Sequence, residues 1–149
     1  MTSISTRLTE KYGISYPIVQ AGMAFAGMTP PLAMALSTAL RPSLYTPAER
    51  ENGKSAWLLG AAFISEGAIP FAAADPLRVI PSMMLGSATA GAISMAAGVT
   101  SAAPHGGVFV FFAIDHVFWF FAAIVVGTLV SALAVTVSSR SMDERFSAG

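Results

Sequence analysis

The chain has 149 residues, of which 54% are hydrophobic and 11% are charged, and its eight basic and eight acidic residues leave no net charge. Soluble domains carry about 25% charged residues, so this composition excludes an ordinary soluble domain and a disordered chain. The balanced charge argues against a nucleic-acid partner. Without cysteine, disulfides, thiolate nucleophiles and cysteine-bound zinc are excluded. We therefore expect an all-α integral membrane protein.

The amino-terminal part of the chain precedes the strongly apolar region. Residues 1–18 are polar, carry charges of both signs and lack the compact apolar core of a signal peptide, so no cleavage is expected. Residues 17–40 are uncharged, but Pro30-Pro31 is expected to break this stretch. We therefore do not predict a continuous membrane span before residue 41.

The apolar region follows and is divided into three stretches. Residues 55–139 contain only four formal charges. A helix needs about 20 apolar residues to cross the hydrocarbon core of a membrane, and residues 117–137 meet this requirement without a charge. Residues 79–103 form a second candidate span, and residues 55–74 form a third that is interrupted by Glu66 and Pro70.

The positions of the basic residues predict the orientation of the chain. Arg41, Arg50 and Lys54 lie in a short loop before the apolar region, and Arg140 directly follows its last stretch. Because cytoplasmic loops are enriched in lysine and arginine, both ends should lie on the cytoplasmic side. The number of full crossings between them is then even, which predicts that the stretch around Glu66 is broken or re-entrant.

Glu66 is the candidate functional residue of this broken stretch. A carboxylate at membrane depth costs about 2.5–3.5 kcal/mol on insertion scales. Pro70 lacks an amide donor, so a carbonyl near Glu66 is expected to lose its helical partner. Broken segments of this kind form substrate sites in secondary transporters, which favours a polar-substrate site. The alternative is a buried structural acid paired with Arg78 or with a neighbouring backbone group.

Asp75 and Arg78 form a second polar group in the apolar region. Asp75 precedes Pro76 and is suited to cap a helix that begins there. The spacing of three residues also allows an ion pair with Arg78 on one helical turn. A cap with a local ion pair is the simpler interpretation, and a direct contact of Arg78 with a sugar or a phosphate is the alternative.

Two further turns and one helix face carry recognisable patterns. His105 lies in a turn with Gly106-Gly107, where the backbone can approach a ligand closely. Asp115-His116 lies among aromatic residues and is interpreted as an interfacial turn rather than a functional pair. With only these two histidines, no metal site is predicted. Small residues recur at four-residue spacing and predict close helix packing; they are Gly86, Ala90 and Ser94.

Residues 28–140 resemble the carboxy-terminal part of the membrane (IIC) domain of fructose-specific phosphotransferase-system permeases. The stretches that carry the resemblance are MTPPLAMALSTAL, TPAERENGKSAWLLGAAFISEGAIPFAAADPLRVIPS and GAISMAAGVTSAAPHGGVFVF. The resemblance implies a fragment of a larger transporter fold, multi-pass in the bacterial inner membrane, with residues 141–149 as a polar cytoplasmic tail. The implied function is fructose uptake with coupled phosphorylation.

The resemblance also implies partners and site residues. In such permeases a glutamate in a re-entrant segment binds the hydroxyl that is phosphorylated. This residue corresponds to Glu66, and His105 corresponds to a second sugar contact. From their positions in the sequence, Gly106, Asp75 and Arg78 are added as further candidate substrate-binding residues. Because the chain has no cysteine, the phosphocysteine must come from a IIB domain on a separate chain. Membrane lipids and a second copy in a homodimer are the other implied partners, and no cofactor is expected.

Residues 1–27 resemble a different family. The stretch TRLTEKYGISYPIVQAGMAF is similar to the start of nitronate monooxygenases, which are flavin-dependent barrel enzymes. A barrel needs about 250 residues, so a flavin-linked activity is not expected and the segment is interpreted as a fusion remnant or a chance similarity. The junction would lie between Ala21 and Leu36. The chain is then part of a protein-phosphocysteine–D-fructose phosphotransferase that is not active alone, or a non-transporting structural membrane fragment.

Overall fold

The computed structural model of the chain describes residues 26–101 and 107–147, and these residues are almost entirely helical. They contain no strand, and their only β-type pairing is an isolated antiparallel bridge between Ser101 and Ile114. The prediction of an all-α fold is confirmed. The α-helices are α1 (Thr29–Leu40), α2 (Pro47–Ala61), α3 (Ile69–Ala74), α4 (Pro76–Ala96) and α5 (Val117–Ser147), with 3-10 helices at Pro42–Leu44, Ser65–Ala68 and Gly107–Ala113.

Helix α1 begins at the two prolines that were expected to interrupt an apolar stretch. Pro30 and Pro31 occupy its first turn, where the backbone amides have no partner within the helix, so the missing proline amide has no cost. The prolines therefore lie at the start of α1, which a turn at residues 27–28 separates from the helical Ala26. Residues 17–25 of the predicted stretch lie outside the described residues.

Helix α2 begins in charged sequence and ends in apolar sequence. Its start is fixed by a capping box, in which the Glu49 amide donates to Thr46 Oγ1 at 3.3 Å and the Thr46 amide donates to Glu49 Oε2 at 2.8 Å. The charged residues lie in its first half, whereas Trp57 and Leu58 in its second half are exposed. The predicted apolar stretch 55–74 is thus divided between α2, a 3-10 helix and α3.

Helices α4 and α5 are long and apolar enough to cross a membrane, over Pro76–Ala96 and Val117–Ser138. Only 28% and 44% of their most apolar windows are buried, whereas the core helix of a soluble protein would be mostly buried. The prediction of an apolar helix over 117–137 is therefore confirmed. Their exposed side chains include large apolar ones, namely Leu77, Met84, Met95, Phe118, Leu133 and Val137.

Helix α4 ends earlier than the sequence predicted, at Ala96. Gly98 adopts a φ of 64°, and its amide bonds to the Met95 carbonyl at 3.1 Å while the Val99 amide bonds to the Ser94 carbonyl at 2.9 Å. This pair of bonds is the Schellman motif that commonly ends helices at glycine. It separates residues 99–103 from the predicted span.

Helices α4 and α5 cross in close contact at two glycines. A Cβ atom added to Gly86 would lie 2.6 Å from the Gly127 carbonyl oxygen, and one added to Gly127 would lie 2.7 Å from the Gly86 carbonyl oxygen. Ala90 and Ser94 on the same face of α4 are also buried, so the predicted small-residue packing face is confirmed. Helix α1 joins this crossing, because Thr29 Oγ1 lies 3.0 Å from the hydroxyl of Ser87 in α4.

The loop between α1 and α2 is held to the core by a tyrosine. The hydroxyl of Tyr45 lies 2.6 Å from Ser37 Oγ of α1, in a buried hydrogen bond. The ring packs edge-on against Phe71 of α3, with ring centroids 6.1 Å apart. This contact ties the basic loop to the segment that follows Glu66.

Candidate functional site

The segment that carries Glu66 begins with a strained turn at the end of α2. The Phe63 amide bonds to the Gly60 carbonyl at 3.1 Å and the Ile64 amide to the Leu59 carbonyl at 2.8 Å, which is again a Schellman geometry. The left-handed position is taken by Phe63, with a φ of 66°, instead of by glycine. Left-handed backbone costs a residue with a side chain about 1–2 kcal/mol. The Phe63 side chain packs against a buried apolar cluster, which includes Met28, Val99, Ile114, Phe120 and Ile124.

Glu66 is exposed on the 3-10 helix Ser65–Ala68. The two residues after it are buried, and a Cβ atom added to Gly67 would lie 3.0 Å from the Leu59 Cβ atom. The backbone of this 3-10 helix is therefore packed against the end of α2 while the carboxylate stays accessible. This arrangement suits a group that binds a polar ligand.

The Glu66 carbonyl loses its helical partner at Pro70, as predicted, and accepts a different hydrogen bond. The Ile69 amide donates to the Glu66 carbonyl, because the chain forms a 3-10 turn before Pro70. Pro70 itself occupies the first turn of α3, where a missing amide is tolerated. The predicted loss of the helical partner and the predicted break in the helix at this position are therefore both present.

Asp75 and Arg78 bind each other. The Asp75 Oδ2 atom lies 2.8 Å from a terminal nitrogen of Arg78, and the two side chains are 27% and 19% exposed. The other Asp75 oxygen accepts from the Arg78 amide at 3.3 Å and caps α4. The interpretation as a cap with a local ion pair is confirmed. Glu66 is exposed and forms no ion pair with any described residue, whereas the alternative expected a buried acid paired with Arg78 or with a neighbouring backbone group.

Gly107 brings the second predicted turn to the Glu66 segment. A Cβ atom added to Gly107 would collide with the Ala61 carbonyl oxygen and would lie 2.9 Å from the Phe63 amide nitrogen. With a φ of 57°, this position is suited to glycine on both grounds. Gly107 thus rests on the turn that leads to Glu66, whereas the predicted contacts His105 and Gly106 lie outside the described residues.

A hydrogen-bonded pair closes the two ends of the loop that contains Gly107. Thr100 Oγ1 donates to Asp115 Oδ2 at 2.9 Å, and the Asp115 amide donates to the Thr100 carbonyl at 3.0 Å. The Ser101–Ile114 bridge lies directly inside this pair. The sequence did not predict it, because residues 15 positions apart in an irregular segment show no periodicity that would bring them together.

The described cavities lie away from these residues. A cavity of about 320 Å³ between α1 and α2 is lined in part by Arg50, Lys54 and Trp57. An apolar groove of about 230 Å³ lies between Leu36 of α1 and Leu129 of α5. Neither is lined by the predicted site residues, and no three His, Asp or Glu residues in the described ranges are placed to hold a metal ion. Neither of these two cavities therefore provides a sugar site at the Glu66 carboxylate.

Comparisons with known proteins identify relatives of the chain. It is 48% identical over 136 residues to the PTS system fructose-specific EIIC component of Haloferax volcanii, which covers 91% of this chain and 36% of that protein. It is 50% identical over 129 residues to the EIIB'BC component of Escherichia coli, covering 85% of this chain and 22% of that protein. The chain is thus similar to fructose-specific phosphotransferase-system EIIC components.

A third relative is also similar over most of the chain. The fructose permease IIC component of Bacillus amyloliquefaciens is 43% identical over 125 residues, which cover 84% of this chain and 41% of that protein. The chain therefore spans between about a fifth and two fifths of the length of these three relatives. No family model and no solved structure matches it.

The similarity to nitronate monooxygenases in residues 1–27 is not supported. The match to the Haloferax protein covers 136 of the 149 residues, so the 13 residues outside it are fewer than the proposed amino-terminal segment contains. Part of that segment therefore aligns with the permease component. Residues 1–25 lie outside the described residues, and the predicted boundaries of the regions 28–140 and 141–149 remain predictions.

Proposed function

We propose that the chain acts in fructose uptake with coupled phosphorylation, as part of the membrane permease component of a sugar phosphotransferase system. The observation that carries the proposal is the 48% identity over 136 residues to a fructose-specific EIIC component. The two apolar helices support a multi-pass location in the bacterial inner membrane, where even-numbered crossings would keep Lys54 and Arg140 on the cytoplasmic side.

Glu66 is the proposed catalytic residue. Its exposed carboxylate would accept a hydrogen bond from the sugar hydroxyl and take the hydroxyl proton during transfer. The sugar oxygen then forms a bond to phosphorus while the sulfur–phosphorus bond of a phosphocysteine breaks and the thiolate leaves. Because phosphoryl transfer depends chiefly on positioning and charge stabilisation, an acid on a packed backbone segment is suited to this role.

His105 and Gly106 are proposed as a second contact to the same sugar. Gly107 follows them directly and rests against the Ala61 carbonyl, and Glu66 lies three residues after Phe63, on the 3-10 helix that follows the turn. Each residue of chain spans at most about 3.6 Å, so covalent reach is consistent with both groups contacting one ligand. Imidazole can both donate and accept a hydrogen bond, which suits a sugar hydroxyl.

The geometry favours a structural role for Asp75 and Arg78 over direct sugar contact. Their charged groups are bound to each other and largely buried. The proposed phosphoryl donor is a IIB domain, since the similar protein of Escherichia coli carries B components in its name and this chain has no cysteine. Fructose, the IIB domain, lipids and a second copy of the chain are the proposed partners.

A non-transporting structural membrane protein is the second candidate. Neither of the two cavities above is lined by Glu66, and this candidate assumes that an enclosed sugar site needs further walls. These walls would come from a region equivalent to the part of the relatives that this chain does not span, or from a second copy of the chain. Without them the chain would insert in the membrane and transport nothing.

Uptake of labelled fructose distinguishes the two candidates. The chain would be expressed with IIB in cells that lack their own fructose permease, and immunoblots of membrane fractions would confirm its presence. We expect uptake above background, with Glu66→Gln lowering it by about 100-fold because general base catalysis contributes that much. The matched control is Glu51→Gln, an exposed acid that pairs with Lys54 on α2.

The presence of uptake and the effect of Glu66→Gln decide between the candidates. Membrane-located protein without uptake would favour the structural candidate. Equal uptake by the wild type and Glu66→Gln would reject the catalytic role of the carboxylate while leaving transport established.

A further inference from the structure

We propose that Thr100 and Asp115 form a clamp that positions the Gly107–Ala113 segment against the turn leading to Glu66, which makes Asp115 a positioning residue for sugar binding. The role of Asp115 in sugar binding rests on the proposed function, whereas the clamp itself concerns only contacts within the chain. Residues 101 and 114, just inside the clamp, are joined by the only β-type bridge in the described residues.

The clamp makes two contacts in opposite directions. Thr100 donates its hydroxyl hydrogen to Asp115 Oδ2 at 2.9 Å, and Asp115 donates its amide hydrogen to the Thr100 carbonyl at 3.0 Å. Hydrogen bonds to a charged acceptor are stronger than those between neutral groups. Both side chains are exposed, whereas the adjacent Val99 and Ile114 are buried in one cluster. The pair therefore adds to the contacts that hold the two ends of the segment together.

Gly107 transmits the effect of the clamp to the Glu66 segment. Its backbone lies directly on the Ala61 carbonyl and the Phe63 amide, which belong to the strained turn before Glu66. Val108 and Phe63 both pack against the buried cluster that contains Ile114. The clamp, the Gly107 contact and this cluster thus link Asp115 to the turn through described residues.

The position of the Gly107–Ala113 segment matters because the strained turn at Phe63 depends on contacts from outside it. Phe63 has a left-handed backbone, which stays populated only where surrounding contacts impose it. Loosening the Gly107–Ala113 segment removes one of these contacts. We therefore expect loss of the clamp to alter the position of the Ser65–Ala68 segment without altering the packing of α4 on α5.

The clamp can be tested by distance measurement, because the chain has no native cysteine. Nitroxide labels on Ser65→Cys and Phe109→Cys, which are exposed positions on the two sides of the contact, report their separation by electron double resonance in lipid nanodiscs. We expect a narrow distribution in the otherwise unchanged chain and a broad one with Thr100→Val. Thr100→Ser, which keeps the hydroxyl, should restore the narrow distribution. The matched control is Thr89→Val, which removes an exposed hydroxyl bound to the Leu85 carbonyl on α4.

Fructose binding, measured by calorimetry on the unlabelled chain, tests the consequence for the sugar. We expect Thr100→Val and Asp115→Asn each to weaken binding by about threefold to tenfold, the effect of one hydrogen bond to a charged group at an exposed site. A disulfide from Ser101→Cys with Ile114→Cys in the Thr100→Val chain should restore the affinity, because bridged residues are close enough for one. Reduction of this disulfide should weaken binding again.

The measurements have distinct outcomes. An unchanged distance distribution with Thr100→Val overturns the clamp. Thr100→Val could broaden the distance distribution and leave the fructose affinity unchanged, while Glu66→Gln abolishes fructose binding. This result overturns the role of the clamp in sugar binding. If the wild-type chain binds no fructose, the proposed function fails in this chain, and the distance distributions still decide the clamp.

Discussion

The α4–α5 crossing and the segment from Phe63 to Asp75 are built on opposite principles. At the crossing, two long regular helices pack so closely that the backbone carbonyl of each glycine occupies the space beside the Cα atom of the other glycine. The 63–75 segment changes backbone conformation several times, from a left-handed residue through a 3-10 helix and α3 to the cap of α4. The charged groups of the described apolar region lie in or beside such irregular backbone and not at the crossing. Regular helices thus provide a rigid frame, and polar chemistry is placed where helical hydrogen bonding is interrupted.

The largest expected effect is on the crossing itself. Gly86→Val would force α4 and α5 apart, because its Cβ atom would lie 2.6 Å from the Gly127 carbonyl oxygen. We expect the free energy of unfolding to fall by about 3 kcal/mol, as for severe overpacking, measured by thermal unfolding in detergent micelles. The matched control is Gly91→Val on the same helix, where no atom lies within 4 Å of an added Cβ atom. Equal losses in both variants would contradict the close crossing.

A smaller effect is expected at the end of the irregular segment. Asp75→Ala removes both the cap of α4 and the partly buried partner of Arg78, which together should lower the free energy of unfolding by about 2 kcal/mol. Glu51→Ala removes an ion pair with the same spacing whose side chains are 72% and 74% exposed. An exposed pair of this kind contributes less than about 1 kcal/mol. Denaturant titrations of the two variants measure this difference, and similar losses would show that burial of the Asp75 pair has no consequence.

The Schellman end of α4 offers a third test. Gly98→Ala should lower the free energy of unfolding by about 1 kcal/mol, because alanine is strained at a φ of 64° although the space around it is open. Gly91→Ala, in the helical interior, should instead raise it by up to about 1 kcal/mol because alanine favours helix. Replacement of glycine by alanine is thus expected to lower the free energy of unfolding at position 98 and to raise it at position 91. Two shifts of the same sign in thermal unfolding would contradict the assignment of the helix end.

The smallest effect is expected at Tyr45, which lies outside the two candidate spans. Burial raises the pKa of Tyr45, an effect that its hydrogen bond to Ser37 partly opposes. A raised pKa in the folded chain means that the stabilisation is complete below about pH 10, the ordinary value for tyrosine, and is lost as pH rises through the folded-state pKa. Tyr45→Phe should cost about 1 kcal/mol at neutral pH for the lost hydrogen bond.

Thermal unfolding between pH 8 and about pH 11 measures both parts of this prediction. The wild type should lose stability at the alkaline end, and the Tyr45→Phe chain should lose less of it. An identical alkaline decline in the two chains would show that another group is responsible.

The features that the sequence predicted correctly are local ones. The uncharged run over 117–137, the Asp75 cap before Pro76 and the small-residue face from Gly86 to Ser94 each depend on residues within a few helical turns. Their patterns are visible because helical periodicity and capping act over short distances. The break at Glu66 was predicted for the same reason.

The features that were missed depend on contacts between distant residues. Nothing local distinguishes Phe63 as left-handed, since that conformation is imposed by the cluster it packs against. The contact of Gly107 with Ala61 joins two segments far apart in the chain, and only the Gly106-Gly107 pair hinted at unusual backbone there. The first half of α2 was missed, because the predicted apolar stretch began at residue 55 and these residues are charged, although the capping box is a recognisable signal.

The change of character along α2 indicates how far Glu66 lies from water. Charged residues up to Lys54 mark the part of this helix that faces an aqueous phase, and the exposed Trp57 is the residue type that concentrates at the boundary of a bilayer. A helix rises 1.5 Å per residue, so Ala61 lies only about 6 Å farther along the axis. A carboxylate on the turn that follows would remain near the headgroup layer, within reach of hydrating water and of a donor domain approaching from the aqueous side.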